Sequence, residues 1–376
     1  MCASRKERGL YSMIRDVEVL VIGGGPAGLC AADAAASMGA HVVLCERYDA
    51  AGGQLVKQTH KFFGSEKQYA GDRGIHIGDF LLEKIEKNPN IELLTEADVL
   101  GIYEDGVVTV LHENKHLKFR PQKTIVATGA SEKFLEFPNN DLPGIYGAGA
   151  VQTLMNVYGV LPAERAVMVG AGNIGLIVSY QMMQAGVKVV SLVEAAPRIG
   201  GYLVHASKIA RAGVPIRTGY TVKEAYGDGK LEGVVIVQLD DKFQQIPGTE
   251  EDIKCDTLCL AVGLTPLTEL LWQAGCHMEF IRELSGHVPV LDENLMTSVP
   301  GIYVAGDATG IEEASSAMVE GMIAGYAVAE SLGYDPEKAA ALKADAVKEL
   351  QVLRSGPMGA KIRAGLEKEI AKGGRR

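Results

Sequence analysis

Residues 17–28 read VEVLVIGGGPAG, and the reading of this stretch decides the fold. VEVLVI (17–22) is a short apolar, β-branched run of the kind that forms a strand buried on both faces of a parallel sheet. Gly23, Gly25 and Gly28 follow in a G-x-G-x-x-G pattern, with Pro26 and Ala27 inside it. The first glycine permits a tight turn, the second lets backbone approach a pyrophosphate, and the third lets a helix pack closely on the strand. The Ala-rich run LCAADAAASMG (29–39) reads as that helix, ending at Gly39. Its N-terminus offers free N–H groups and a positive dipole end to phosphates. HVVLCE (41–46) is the next strand, and Glu46 at its end, followed by Arg47, is placed to bind ribose hydroxyls.

The pattern recurs farther along the chain. AVMVG (166–170) leads into Gly170, Gly172 and Gly175, with Asn173 and Ile174 between them; a helix, LIVSYQMMQAG, and a strand, VKVVSLVE, come next. Glu194 ends that strand. A carboxylate there favours a free 2′-hydroxyl over a 2′-phosphate, hence NAD over NADP, although Arg198 nearby weakens the preference. The spacing also leaves room for ATP or another nucleotide, or for an empty site. Two βαβ units of one layout predict an α/β protein with two Rossmann-like three-layer dinucleotide-binding domains, the second inserted in the first.

The rest of the chain fits around these units. Residues 91–129 alternate like a β-meander with a turn at Glu104-Asp105-Gly106, and 214–263 repeat that habit. Ala127, Thr128 and Gly129 in TIVATGA, and Gly263 in LAVGLTP, mark the crossover strands leaving each unit. GIYVAGD (301–307) puts Gly306 and Asp307 just past a buried strand, before a long helix near 314–332. The expected division is a disordered leader over 1–16, a discontinuous first domain over 17–142 and 265–335, a second over 143–264, and a helical tail over 336–376 broken at Gly356-Pro357. The stretch near Ala360 to Ile370 is amphipathic enough to dock on a partner, with a solvated helix the simpler reading.

Composition narrows the class. The chain has 376 residues, 47% of them hydrophobic, with a net charge of −10 and no basic stripe, which argues against nucleic acid as a partner. The 45 glycines fit many tight turns around ligands. No apolar run approaches the roughly 18 residues of a membrane span, and the basic N-terminus lacks an apolar signal core, so a cytoplasmic protein is expected. The six cysteines, Cys2, Cys30, Cys45, Cys255, Cys259 and Cys276, form no C-x-x-C, and no metal-ligand spacing is present. They read as reduced, buried thiols. His205 and His287 have no partner at catalytic spacing, and Trp272 reads as a packing residue.

At this point the sequence resembles the pyridine nucleotide–disulfide oxidoreductase superfamily, over about residues 16–335. Gly52-Gly53-Gln54-Leu55 and His60-Lys61-Phe62-Phe63-Gly64 look like its thioredoxin-reductase branch. The resemblance implies FAD in the first domain, held by Gly23, Gly25, Pro26, Ala27, Gly28, Glu46, Arg47, Gly53, Gln54, Val99, Ala127, Thr128, Gly129, Gly306, Asp307 and Ala314. Asp307 would meet the ribityl and pyrophosphate region, and the helix starting near Glu313 to Ser315 would aim its positive end at the flavin. NAD would lie on Gly170, Gly172, Asn173, Ile174, Gly175, Glu194 and Gly263. Lys57 and His60 follow Gln54 and are placed to tune flavin charge, with an ordinary solvated basic loop as the alternative.

The departures are informative. A thioredoxin reductase carries a C-x-x-C just before its second glycine motif, whereas Tyr146–Tyr158 contains no cysteine. Disulfide reduction is therefore excluded. GAGAVQTLMNVYGVLPAERAVMVGAG (147–172) looks like the α-type subunits of heteromeric amino-acid dehydrogenases, a group including those of sarcosine oxidase, dye-linked proline dehydrogenase, opine oxidase and hydrogen cyanide synthase. The resemblance implies sister dehydrogenase and iron–sulfur subunits in an oligomer; since this chain has no C-terminal Cys cluster, any such cluster sits on another subunit or is missing. It also implies hydride exchange between nicotinamide and flavin at a near-attack separation of roughly 3–3.5 Å. Two other readings stay open: a stand-alone NAD(P)H-dependent reductase feeding ferredoxin or another acceptor, and a subunit whose second nucleotide is structural.

Overall fold

The computed structural model describes residues 14–373. The chain divides into two compact units. Within the described residues, the first takes the chain up to Val56, then Lys61–Ser131, and everything from Thr265 onward; the second takes Lys57–His60 and Glu132–Leu264. Residues 132–142 thus group with the second unit and the tail with the first.

The chain opens with β1 (Ile14–Ile22), α1 (Pro26–Ser37), β2 (Val42–Cys45), α2 (Gly74–Lys87) and β3 (Ile91–Leu94). A hairpin of β4 (Ala97–Ile102) and β5 (Val108–His112) precedes the long β6 (Lys115–Val126). Most of the leader expected over 1–16 lies outside the described residues. Its last three residues correct that expectation: Ile14, Arg15 and Asp16 pair in parallel with Lys118, Phe119 and Arg120. The length of β6 extends the sheet far enough to hold them, although their side chains are exposed. Backbone pairing, not burial, sets this strand end.

A connecting strand, β7 (Ala130–Glu132), enters the second unit. There β8 (Ile145–Gly147), α3 (Ala148–Asn156), β9 (Arg165–Val169), α4 (Asn173–Gln184), β10 (Lys188–Glu194), α5 (Leu203–Arg211) and β11 (Ile216–Thr218) follow. An antiparallel sheet of β12 (Tyr220–Tyr226), β13 (Gly233–Gln238) and β14 (Glu251–Lys254) leads to β15 (Thr257–Leu260). The parallel sheet of this unit has the order β11-β10-β9-β15-β8.

The chain returns through β16 (Leu264–Pro266) to α6 (Glu269–Gln273), the hairpin β17 (Met278–Ile281) and β18 (Gly286–Pro289), then β19 (Ile302–Val304). Three helices finish it: α7 (Ala314–Leu332), α8 (Pro336–Arg354) and α9 (Ala360–Ala371). The first sheet has the order β3-β2-β1-β6-β5-β4, with β19 added in parallel to the C-terminal part of β6. Its central strands Val19–Ile22, Val42–Cys45 and Ile125–Val126 are buried throughout, as a sheet covered on both faces requires.

The alanines of α1 have a packing cause. A Cβ on Gly321 of α7 would sit 2.1 Å from the Ala27 carbonyl oxygen, and one on Gly325 would sit 2.4 Å from that of Ala31. The two helices meet backbone to backbone, which only small residues allow. α9 departs from the solvated helix expected: it buries Ile362, Gly365 and Glu369, and the Glu369 carboxylate accepts the Leu291 N–H at 3.0 Å. Its contact positions include a glycine and a glutamate, so the buried face does not read as apolar. Trp272 also departs from expectation; it is about half exposed and meets the His287 ring edge-on at 5.5 Å.

Candidate functional site

Each Gly-rich turn joins a buried strand to a helix in the same way. Gly23 has φ +104° and Gly170 φ +101°, the left-handed region that favours glycine. A Cβ on Gly23 would fall 2.3 Å from the Ala127 carbonyl oxygen, and on Gly170 2.3 Å from that of Ala261. A Cβ on Gly28 or Gly175 would lie 1.8 or 2.0 Å from the oxygen of Gly23 or Gly170. These four glycines are required by the protein's own packing.

Gly25 and Gly172 are different. Each caps its helix in extended backbone that any residue can adopt, with φ −76° and −74°. A Cβ on Gly25 would meet only Gly53 Cα, at 3.9 Å, and on Gly172 nothing within 4 Å. No protein atom demands glycine there. The free space lies at a helix N-terminus, where N–H groups favour an anion. Pro26 occupies the first turn of α1, where its missing N–H costs nothing. A dinucleotide pyrophosphate fits both cradles.

The two acidic residues are also alike. Glu46 is 4% exposed; one carboxylate oxygen accepts the Gly24 N–H at 2.8 Å and the other the Tyr48 N–H at 2.9 Å. Glu194 accepts from Ala171 at 2.7 Å and Ala196 at 2.9 Å. Each therefore clamps its glycine turn to the loop after its own strand. A carboxylate oxygen has a second lone pair, so both can still accept from a hydroxyl. Asn173 accepts the Tyr202 N–H at 2.8 Å through its side chain, while Ile174 stays partly exposed. Gly263, with φ +108°, follows β15.

Around the first turn the chain closes from several sides. Gly52 donates to the Gly24 carbonyl at 2.7 Å, and a Cβ on Gly53 would lie 2.7 Å from Gly25 Cα. Ala127 donates to Ile22 at 2.8 Å, the Thr128 hydroxyl donates to the Leu267 carbonyl at 2.7 Å, and Gly129 turns with φ +76°. Gly306 opens a 3₁₀ turn through Thr309, and a Cβ on it would lie 2.7 Å from that of Ala27. Ala314 is the first residue of α7. Arg47, Gln54 and Val99 are less engaged. Arg47 is exposed with its guanidinium 4.7 Å over the Tyr48 ring, Gln54 is exposed, and Val99 pairs with Val110 inside β4.

Asp307 lies in that 3₁₀ turn. Burial pushes its carboxyl up to about 7; the Glu312 N–H opposes this, and the nearby Glu320 and Glu312 carboxylates add to it. Sequence reasoning misses Glu320 as a site residue. It is a lone acid in the apolar run of α7, a burial pattern that calls for partners, and its carboxylate accepts the Gly306 N–H at 3.0 Å and the Thr309 hydroxyl at 2.8 Å.

In the second unit, Gly149 occupies the stretch where a redox cysteine pair would be expected. Its N–H donates to Glu132 at 2.6 Å and its carbonyl accepts from Lys57 Nζ at 3.1 Å. Burial pulls the Lys57 amine down while Glu132 opposes it. His60 is pulled down to about 4, by burial first and then by His205 and Lys208. Glu132 carries no sequence signal beyond an acid after a crossover strand. Among the described residues the cysteines are free and buried, and burial pushes the Cys30, Cys45 and Cys255 thiols up to about 12. No redox pair exists among them, and among the described residues no group of three His, Cys, Asp or Glu is arranged for a metal. No described helix is long and apolar enough to cross a membrane.

Comparison with known proteins agrees with this architecture. The chain is 27% identical over 330 residues to an opine oxidase subunit of Agrobacterium tumefaciens, covering 84% of this chain and 66% of that one. It is 29% identical to the alpha subunit of sarcosine oxidase from a Corynebacterium strain, covering 85% of this chain and only 33% of that one. The chain thus spans about two thirds and one third of these relatives. Among solved structures, L-proline dehydrogenase from P. horikoshii aligns with a TM-score of 0.66 at 26% identity, over 89% of this chain and 60% of that one. The thioredoxin reductase of T. acidophilum aligns with a TM-score of 0.70 at 24% identity, over 85% of this chain and 99% of that one, and shows the fold. The family model for pyridine nucleotide-disulphide oxidoreductases matches residues 17–321. The chain belongs to the pyridine nucleotide-disulphide oxidoreductase family, and is an oxidoreductase whose implied cofactor is FAD.

Proposed function

We propose that this chain couples FAD to NAD(H) as the nicotinamide-linked flavoprotein component of a heteromeric amino-acid dehydrogenase. The substrate class is a secondary amine of the proline, hydroxyproline, sarcosine or opine type, oxidised on a sister chain. An iron–sulfur component would complete the electron route, and the assembly would be cytoplasmic.

The observation that carries the reading is the pair of glycines, Gly25 and Gly172, that nothing in the protein requires. FAD supplies two-electron acceptance and return when bound. The chain's part is to bind and orient. The α1 N-terminus holds one pyrophosphate, with Gly53 as its cover and Glu46 toward ribose. Thr128, Gly129, Gly306 and Asp307 edge the same site, with Val99, Arg47, Gln54 and Ala314 at its margin. The α4 N-terminus with Gly170, Asn173, Ile174 and Gly175 holds the second dinucleotide, bounded by Gly263. Glu194 selects NAD, because a carboxylate repels a 2′-phosphate. Lys57 and His60 would tune the charge near the reacting ring, and burial weakens both as cations.

Anaerobic titration of the FAD-replete protein with NADH and with NADPH, following the flavin absorbance, tests this. Bleaching near one equivalent of NADH, with NADPH much weaker, is expected. Absence of bleaching by either would overturn the coupling and leave a structural nucleotide, ATP included, as the occupant of the second site.

A further inference from the structure

Arg354 ends α8, beyond the residues that the family model matches. It is 7% exposed. Its Nε lies 2.9 and 3.1 Å from the two Glu312 carboxylate oxygens, and its Nη2 donates both to Glu312 and, at 2.6 Å, to Glu320. Glu320 is 2% exposed. A buried and a largely buried carboxylate side by side repel one another, and each would be costly to keep ionised alone. A planar guanidinium with several fixed donors satisfies both at once, in a rigid fork that a lysine does not offer. Burial pushes the Glu312 carboxyl up and Arg354 pulls against it.

The far sides of the same two glutamates hold the turn that carries Asp307. Glu320 accepts from Gly306 and Thr309 with its other oxygen, and the Glu312 N–H donates to Asp307 at 3.3 Å. The path from the tail to this turn is therefore Arg354 to carboxylate to backbone, with no gap. Arg363 ties the ends of α8 and α9 together by donating to the Arg354 and Gly356 carbonyls.

We infer that Arg354 is a positioning residue for the flavin: through Glu320 and Glu312 it fixes the one arrangement of the Gly306–Thr309 turn in which Asp307 meets FAD. This rests on the reading that the first unit holds FAD, and it gives the tail a part in that site. Without the guanidinium, Glu320 must take up a proton or swing away, and either change loosens its hold on the Gly306 N–H.

The test uses the full chain, stripped of flavin and titrated with FAD, as wild type, Arg354→Met and Arg354→Lys. Dissociation constant, flavin midpoint potential and melting temperature are read together. Arg354→Met should bind FAD roughly ten- to a hundredfold more weakly, as for loss of a charged hydrogen bond to a buried group. Its flavin potential should shift. Arg354→Lys should fall between the two, since it keeps charge and loses the fork. Wild type that takes up no FAD would overturn the first-unit reading and the inference with it. Wild type that binds FAD, beside an Arg354→Met protein of equal affinity and potential but lower melting temperature, would overturn the inference alone. Should Arg354→Met fail to fold, Arg354→Lys and Glu320→Gln carry the same readouts, and wild-type affinity and potential in both would overturn it.

Discussion

Asp307 is a carboxyl removed from water before any ligand is present, and burial raises it to about 7. At low pH the folded and unfolded chains both keep its proton. Between the ordinary carboxyl value of 3.8 and the folded value, only the folded chain keeps it. Its contribution to stability is therefore present at acid pH and lost as pH rises through about 7. Unfolding of the flavin-free protein between about pH 5 and pH 8 should show this. Wild type should lose stability over that window relative to Asp307→Asn, by no more than roughly 3 kcal/mol for the two units between pH 5 and about 7. Parallel pH profiles for the two proteins would contradict it. Asp307 is legible in the sequence because it follows a buried strand and a glycine. Glu312, Glu320 and Arg354 are not, because their meaning depends on residues that come together only in the fold. The two strand-end acids are half legible: their position beside ribose can be read, whereas their clamp on Gly24 and Ala171 cannot.

Elements with a strong local signal are readable to within about three residues at their ends. The strand–glycine–helix units combine a β-branched run, forced positive φ and an open helix end, and α7 covers the range read for it, 314–332. α9 gives no such signal, since a glycine and a glutamate lie at its contact positions. A Cβ on Gly365 would lie 2.7 Å from Leu284, on the turn that α9 covers. This gives a test by sign. A solvated helix would gain about 0.5 kcal/mol when Gly365 becomes valine, from helix propensity alone. The docked helix should instead lose about 1–3 kcal/mol through overpacking. Urea unfolding of Gly365→Val measures the difference; a midpoint at or above that of wild type would show that the docking contributes nothing.

At the scale of the whole molecule, the chain carries one architectural idea twice. Each copy has a left-handed glycine pressed on a crossover strand, a second glycine facing open space, and a carboxylate gripping the turn. The duplication is legible because periodic glycines survive as sequence. What distinguishes the copies is less so: the 57–60 segment clusters with the second unit, and Lys57 and Glu132 bracket Gly149 where a disulfide reductase would need cysteines. The central claim is that the second copy is a working nicotinamide site. Its most direct test is anaerobic bleaching of the flavin by NADH in Gly172→Ala beside wild type. The substitution adds one methyl group into space no protein atom fills, so stability should stay within about 0.5 kcal/mol and flavin should be retained. The account predicts that NADH bleaches this variant only at concentrations about tenfold higher or more, a loss of ~1.4 kcal/mol of binding. Bleaching of wild type and variant by NADH at the same concentrations would contradict it.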